Sequence, residues 1–126
     1  MNQPVKKIIA ELSRNPKIKA IYLFGSRATG KAGALSDTDV CVIAPGISEK
    51  EKREILSYSS EKIDVVIFED LPLTIKVRVF KEGKPLFVAD RRPIDELRWR
   101  TLKEYLDFKP RLSVFIKAYL PGVPHV

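Results

Sequence analysis

Three aspartates stand at the starts of apolar segments, where an ionised side chain is costly unless a cation compensates it. Asp37 and Asp39 open the run that ends at Ala44, and Asp64 opens the run that ends at Phe68. If the first run is a strand, its period of two places Asp37 and Asp39 on one face, about 6.5–7 Å apart. Mg²⁺ takes such oxygen ligands together with substrate phosphates, and a pair of ions can clamp the attacking and leaving oxygens of an in-line displacement. The aspartates therefore predict a site for divalent cations.

A glycine–serine turn follows another short apolar run, 20–24. Gly25 allows the backbone to approach a phosphate closely, and Ser26 offers a hydroxyl and backbone N–H groups at the start of a helix. Two cations, Arg27 and Lys31, follow in the sequence. The same residue types also form ordinary turns and exposed cations, and the spacing is not that of a P-loop, so the turn alone is a weak signal.

The simpler interpretations remain open at this point. An Asp-x-Asp pair is common, and its members can be turn formers or partners of nearby lysine and arginine. Cys41 shares the face of the aspartates but lies deeper in the strand, which favours a small core residue. His125, the only histidine, stands in the final tail, so neither a Cys–His pair nor a zinc site is expected.

Hydrophobic periodicity predicts the elements that would position these side chains. Strands are expected over 20–24, 37–44, 63–68 and 85–89, and helices over 4–14, 48–60 and 70–83. A further helix is expected from residue 93 until Pro110 interrupts it, and one more short helix over 112–119. Residues 45–62 are long enough for a parallel crossover, and if the second and third strands are parallel neighbours, their starts lie side by side. With the first strand antiparallel to the second, Gly25 reaches the same edge. The pattern thus predicts an α/β (α+β) fold with a compact mixed β-sheet flanked by helices.

Composition restricts the class of protein. The 126 residues suit a single domain, expected over 1–126, and 44% hydrophobic with 31% charged residues favours a soluble globular chain. No apolar stretch is long enough to span a bilayer, no signal peptide is visible, and a single cysteine favours a reducing cytoplasm. The net charge of +7 favours nucleotides, RNA or an acidic protein partner, although it also serves solubility alone.

The combination of motifs is far more specific than its parts. Gly25-Ser26, ten intervening residues and Asp37-Thr38-Asp39 resemble the signature of the DNA polymerase β-like nucleotidyltransferase superfamily. The surrounding residues, from Phe24 to Gly30 and from Ser36 to Val40, are similar to the minimal nucleotidyltransferase (MNT) family. Ile63-Asp64-Val65-Val66 matches the position of that family's remaining metal-binding aspartate, and the resemblance continues through 82–87 and 105–110.

The resemblance implies a polymerase β-like fold and transfer of a nucleoside monophosphate from a triphosphate with release of pyrophosphate. Asp37 and Asp39 would bind two Mg²⁺ ions and the triphosphate. Asp64 would hold the ion that lowers the pKa of the acceptor hydroxyl. Gly25 and Ser26 would hold the β- and γ-phosphates, and Arg27 and Lys31 would neutralise phosphate charge.

The resemblance also implies a partner. MNT proteins are antitoxins of HEPN–MNT pairs, in which AMP from ATP is transferred to a tyrosine of the HEPN ribonuclease toxin. No direct nucleic-acid binding is required. The C-terminal helices, residues 93–120, are a candidate docking surface for that partner. The Arg and Trp side chains that would form it are Arg91, Arg92, Arg98, Trp99 and Arg100. The alternative is a solvated helix with one core aromatic. Two rival functions stay open: a nucleotidyltransferase acting on a small molecule such as an antibiotic, and a non-catalytic antitoxin that acts by binding alone.

Overall fold

A four-stranded mixed sheet with helices on both faces forms the described part of the chain. The computed structural model describes residues 3–25 and 38–119, with 109–119 described as helix backbone only. In chain order the elements are α1 (Gln3–Leu12), β1 (Ala20–Phe24), β2 (Thr38–Ile43), α2 (Glu49–Leu56), β3 (Ile63–Ile67), a 3-10 turn (Phe68–Asp70), α3 (Leu73–Glu82), β4 (Lys84–Val88) and α4 (Arg91–Tyr119). The strand order across the sheet is β3-β2-β1-β4.

The strand directions are those expected from the connections. β1 pairs antiparallel with both of its neighbours, β2 and β4, and β2 pairs parallel with β3. The crossover between the parallel strands contains α2, because parallel neighbours cannot be joined by a tight hairpin. The mixed sheet predicted from the sequence is therefore confirmed, and β4, which carries Pro85, is an edge strand.

Each face of the sheet has its own apolar layer. On one face, Ile21, Val40 and Val65 pack with side chains of α1 and α2. On the other face, Tyr22 and Cys41 pack with side chains of α3 and α4. The strands alternate between these layers with a period of two, so a residue's place along its strand decides which layer it joins.

Local signals set most helix boundaries. The capping box of α2 is present: the Ser48 hydroxyl accepts the Glu51 N–H at 3.1 Å, and the Glu51 carboxylate accepts the Ser48 N–H at 3.2 Å. α2 ends at Leu56, earlier than predicted, because the following serines bond to β3 instead. The Ser59 hydroxyl accepts the Val65 N–H at 3.0 Å.

Gly83 ends α3 as predicted. It does not adopt the left-handed conformation that is usual for a glycine at the end of a helix. Its φ is −75°, which any residue can adopt. A Cβ at this position would overlap with the carbonyl oxygen of Val79 and lie 3.2 Å from that of Leu23. Glycine is needed here because the end of α3 passes directly over backbone oxygens.

The C-terminal helix differs from the prediction. α4 runs as one helix from Arg91 to Tyr119, through Pro110, whereas an interruption at that proline and a separate short helix were expected. A proline removes one N–H from the helical ladder, while the residues on both sides retain theirs. In the described part of the chain, no helix combines the length and apolar character that a bilayer crossing requires.

Candidate active site

Two carboxylates stand side by side where β2 and β3 begin. Asp39 and Asp64 are register partners in the parallel ladder, one residue inside each strand start. Asp39 is half-buried and Asp64 is exposed. The pleat turns both toward the same face, since Val40 and Val65 pack in the opposite layer. The sequence prediction that these strand starts meet is confirmed.

The turn after β1 reaches the same edge of the sheet. Phe24, the last residue of β1, is the register partner of Asp39, and Gly25 follows it directly. Gly25 has a φ of +82°, a conformation that glycine adopts without strain. A Cβ at this position would overlap with Oδ2 of Asp39 and lie 3.3 Å from its Cγ. The backbone of the turn is thus in close contact with one of the two carboxylates.

Four of the predicted site residues lie outside the described part of the chain: Ser26, Arg27, Lys31 and Asp37. The structure therefore gives the positions of two of the three predicted aspartates, Asp39 and Asp64, and of the glycine of the turn, Gly25. Within residues 3–25 and 38–119, no group of three or more metal-ligating acidic, histidine or cysteine side chains occurs.

Cys41 is a core residue, as predicted. It lies two residues beyond Asp39 on the same face and is fully buried. Burial raises the pKa of the thiol far above its ordinary value, and the nearby negative charge of Glu69 raises it further. A thiol in this environment stays protonated and does not act as a nucleophile.

Trp99 is 67% exposed, which excludes the alternative of a core aromatic, because the helix turns the stripe of Ile94, Leu97 and Thr101 toward the protein. A cavity also lies between α4 and the strands β1 and β4, lined by Tyr22, Pro85, Val88, Arg91, Ile94, Asp95 and Arg98. Its walls come from distant parts of the sequence, so no local pattern indicated it.

A mixed sheet that carries paired carboxylates on adjacent strand starts, beside a glycine turn, is the arrangement expected of a nucleotidyltransferase. The polymerase beta nucleotidyltransferase family model matches residues 6–92. The chain belongs to this family and is a nucleotidyltransferase enzyme, and the resemblance to its minimal, MNT-type members is confirmed by the following relatives.

The chain is 33% identical to a protein of Methanocaldococcus jannaschii named as a candidate protein adenylyltransferase, over 76% of each chain. It is 30% identical to the protein adenylyltransferase MntA of Aphanizomenon flos-aquae, over 78% of this chain and 75% of that protein. In a solved complex of a tri-AMPylated Shewanella oneidensis HEPN toxin with an MNT antitoxin, a chain with the same fold matches with a TM-score of 0.67. That match has 20% identity and covers 90% of this chain and 91% of the other.

Proposed function

We propose that this protein transfers AMP from ATP to a tyrosine hydroxyl of a HEPN ribonuclease toxin and thereby acts as its antitoxin. The observation that carries the proposal is the pairing of Asp39 and Asp64 beside the backbone of Gly25. Two relatives that cover most of the chain are named as protein adenylyltransferases, which supports AMP as the transferred group. The solved complex of an AMPylated HEPN toxin with an MNT antitoxin supports the class of partner.

The donor set fits divalent metal ions. Carboxylate oxygens on one face, open to solvent at Asp64, are the hard ligands that Mg²⁺ prefers. In the proposed site Asp37, Asp39 and Asp64 hold two Mg²⁺ ions, which would neutralise phosphate charge and lower the pKa of the acceptor hydroxyl. Histidine and thiolate ligands are not needed, which agrees with the protonated state of Cys41.

The residues of the turn bind and orient the triphosphate. Because Gly25 has no side chain and a positive φ, a phosphate can approach the backbone N–H groups that follow the strand. In the proposal, Gly25 and Ser26 hold the β- and γ-phosphates, and Arg27 and Lys31 neutralise their charge. Catalysis then comes mainly from positioning and from electrostatic stabilisation of the transition state.

The proposed reaction is a displacement at the α-phosphorus of ATP. The tyrosine oxygen forms a bond to that phosphorus, the bond to the bridging oxygen breaks, and pyrophosphate leaves. The hydroxyl proton passes to the exposed carboxylate of Asp64 or to water. In this scheme Asp39 orients the phosphates, since it is the carboxylate in contact with the phosphate-binding turn.

Residues 1–126 form one nucleotidyltransferase domain in this proposal, and α4 supplies the surface that docks the toxin. Trp99 is 67% exposed and Leu106, seven residues later on the same side of the helix, is 64% exposed. Exposed large apolar side chains in a row are typical of interaction surfaces. A cytoplasmic location follows from the proposal, because the reaction consumes ATP.

The test is incubation with α-labelled ATP, Mg²⁺ and the HEPN protein. We expect label on a tyrosine of the HEPN protein, reduced at least about 100-fold by Asp39→Asn or Asp64→Asn, because each removes a carboxylate ligand of the metal ions that would neutralise the charge of the transition state. Asp70→Asn, an exposed aspartate in the turn after β3 and away from both the paired carboxylates and α4, is the matched control and retains transfer. Inhibition of the toxin without label would show an antitoxin that acts by binding. Label on an added small alcohol but not on the protein would show a small-molecule enzyme.

A further inference from the structure

The cavity beside α4 has the size of a small-molecule site. Its volume is about 370 Å³, within the roughly 300–1,000 Å³ typical of ligand pockets. Tyr22, Val88 and Ile94 supply an apolar lining, and Arg91, Asp95 and Arg98 supply the charged groups. An apolar space with a few convergent polar groups is the usual form of a site for a flat, partly polar ligand.

The cavity lies within one ligand's length of the paired carboxylates. Tyr22 on β1 is the register partner of Cys41, which stands two residues beyond Asp39 on β2. Tyr22 and Cys41 belong to the same apolar layer, so the cavity and the carboxylates share one face of the sheet. Strand geometry gives about 8 Å between the α-carbons of Tyr22 and Asp39. A nucleotide whose α-phosphate lies beside Asp39 is long enough to extend its base into the cavity.

The charged groups of the cavity are free to bind a ligand. Asp95 and Arg98 are three residues apart on α4, which places them on one side of the helix. Among the side chains that the structure describes, neither makes an ion pair, whereas Arg92 pairs with Glu96 at 3.6 Å on the same helix. Burial raises the pKa of the Tyr22 phenol, while Arg98 lowers it and Asp95 raises it, so both charges act on the cavity lining.

We propose that this cavity receives the base of the nucleoside triphosphate and that Asp95 and Arg98 select adenine over guanine. Adenine presents an amino donor next to a ring-nitrogen acceptor, whereas guanine presents two acceptors at the corresponding edge. The Asp95 carboxylate accepts a hydrogen bond from the adenine amino group, and the Arg98 guanidinium donates one to the neighbouring ring nitrogen. The O6 atom of guanine would face the Asp95 carboxylate with no proton between them, which disfavours GTP.

This inference rests on the proposed function, which requires ATP, and it adds the residues that recognise the base. Both Arg91 and the selecting pair lie on α4, near the residue at which the family match ends. Base selection would thus be assigned to the helix, and phosphate binding to the sheet edge.

The experiment is equilibrium displacement of a fluorescent ATP analogue from the full chain by unlabelled ATP and GTP in the presence of Mg²⁺. We expect ATP to displace the analogue at lower concentration than GTP. Asp95→Asn should reduce this preference about tenfold or more, because the amide can donate to O6 of guanine. Arg98→Ala should weaken the binding of ATP about tenfold. The matched controls on exposed positions of the same helix, Asp107→Asn and Arg100→Ala, should leave both affinities unchanged.

The outcomes separate this inference from the proposed function. An ATP preference that is the same in the wild type and in both cavity variants overturns base selection by Asp95 and Arg98 and leaves AMP transfer intact. An ATP preference that depends on the cavity, in a protein that transfers no label to the HEPN partner, supports base selection and overturns the proposed acceptor. A wild-type chain that takes up neither nucleotide overturns both.

Discussion

Gly25 and Asp39 are in such close contact that the structure has no space for a side chain at position 25. A Cβ there would overlap with Oδ2 of Asp39, and the backbone conformation, with φ at +82°, is itself unfavourable for other residues. The phosphate-binding turn of the proposed site is therefore coupled directly to one of its carboxylates. A change in either residue is expected to disturb the other.

Gly25→Ala should abolish nucleotide transfer by displacing Asp39, and should reduce the free energy of unfolding by about 1–2 kcal/mol through backbone strain. Gly46→Ala is the matched control, since Gly46 has a φ of +78° with nothing within 4 Å of the added carbon. Denaturant unfolding should show a similar loss of stability for both variants, while labelled-ATP transfer should be lost in the first alone. Equal activities in the two variants would contradict the coupling.

Asp64→Asn should lose transfer without losing stability. In metal-free buffer the carboxylates of Asp39 and Asp64 are like charges on directly paired residues, which is destabilising by about 0.2–1 kcal/mol. Removing one charge should raise the free energy of unfolding by that amount, whereas Mg²⁺ with nucleotide should stabilise the wild type and not the variant. Thermal unfolding with and without Mg²⁺–nucleotide measures both effects. A variant that is strongly destabilised in metal-free buffer would assign Asp64 a structural role instead.

Glu69 should make the stability of the folded state fall as the pH rises through the acidic range. Burial raises the pKa of its carboxyl group above the ordinary 4.5, although the Ala44 N–H that it accepts at 3.0 Å acts in the opposite direction. The folded state therefore binds a proton more tightly than the unfolded state, and this contribution to stability is lost as the pH rises from about 4.5 through the raised pKa. Glu69→Gln should remove this decline. Denaturant titrations across the acidic range would refute the assignment if both proteins gave the same profile.

Trp99→Ala should leave the free energy of unfolding within about 0.5 kcal/mol of the wild type, since the side chain is 67% exposed. If α4 docks the HEPN protein, the same change should weaken the complex about 30-fold or more, as expected for a tryptophan at the centre of an interface. Leu56→Ala on α2, another exposed large apolar residue, is the control and should bind normally. Calorimetry of the complex provides the affinities. Normal binding by the Trp99 variant would exclude this face as the docking surface.

The sequence was informative about the sheet because its signals there are local. Apolar runs bounded by Gly25 and by Pro45-Gly46 marked the strands, and the length of residues 45–62 allowed a parallel crossover. Strand alternation then placed Asp39 and Cys41 on one face, as the structure confirms. The contact between Gly25 and Asp39 could not be derived, because it depends on how closely two strand ends approach.

Predictions for α4 were less successful because helix orientation is decided by tertiary packing. The sequence left two alternatives for Trp99, a core aromatic or a docking residue, and the structure excludes the first by leaving the tryptophan in solvent. Pro110 predicted an interruption that the helix does not have. The cavity between Tyr22 and Arg98 depends on the angle at which α4 crosses the sheet, and no spacing in the chain encodes that angle.

The parallel ladder between β2 and β3 has a consequence for how such a protein can diversify. The separation of Asp39 and Asp64 is set by backbone hydrogen bonds between adjacent strands, including that from the Thr38 N–H to the Lys62 carbonyl oxygen at 2.9 Å. These hydrogen bonds do not involve α4. If α4 docks the partner as proposed, substitutions along its exposed face would therefore change the target of the enzyme over generations while the reacting centre keeps its dimensions.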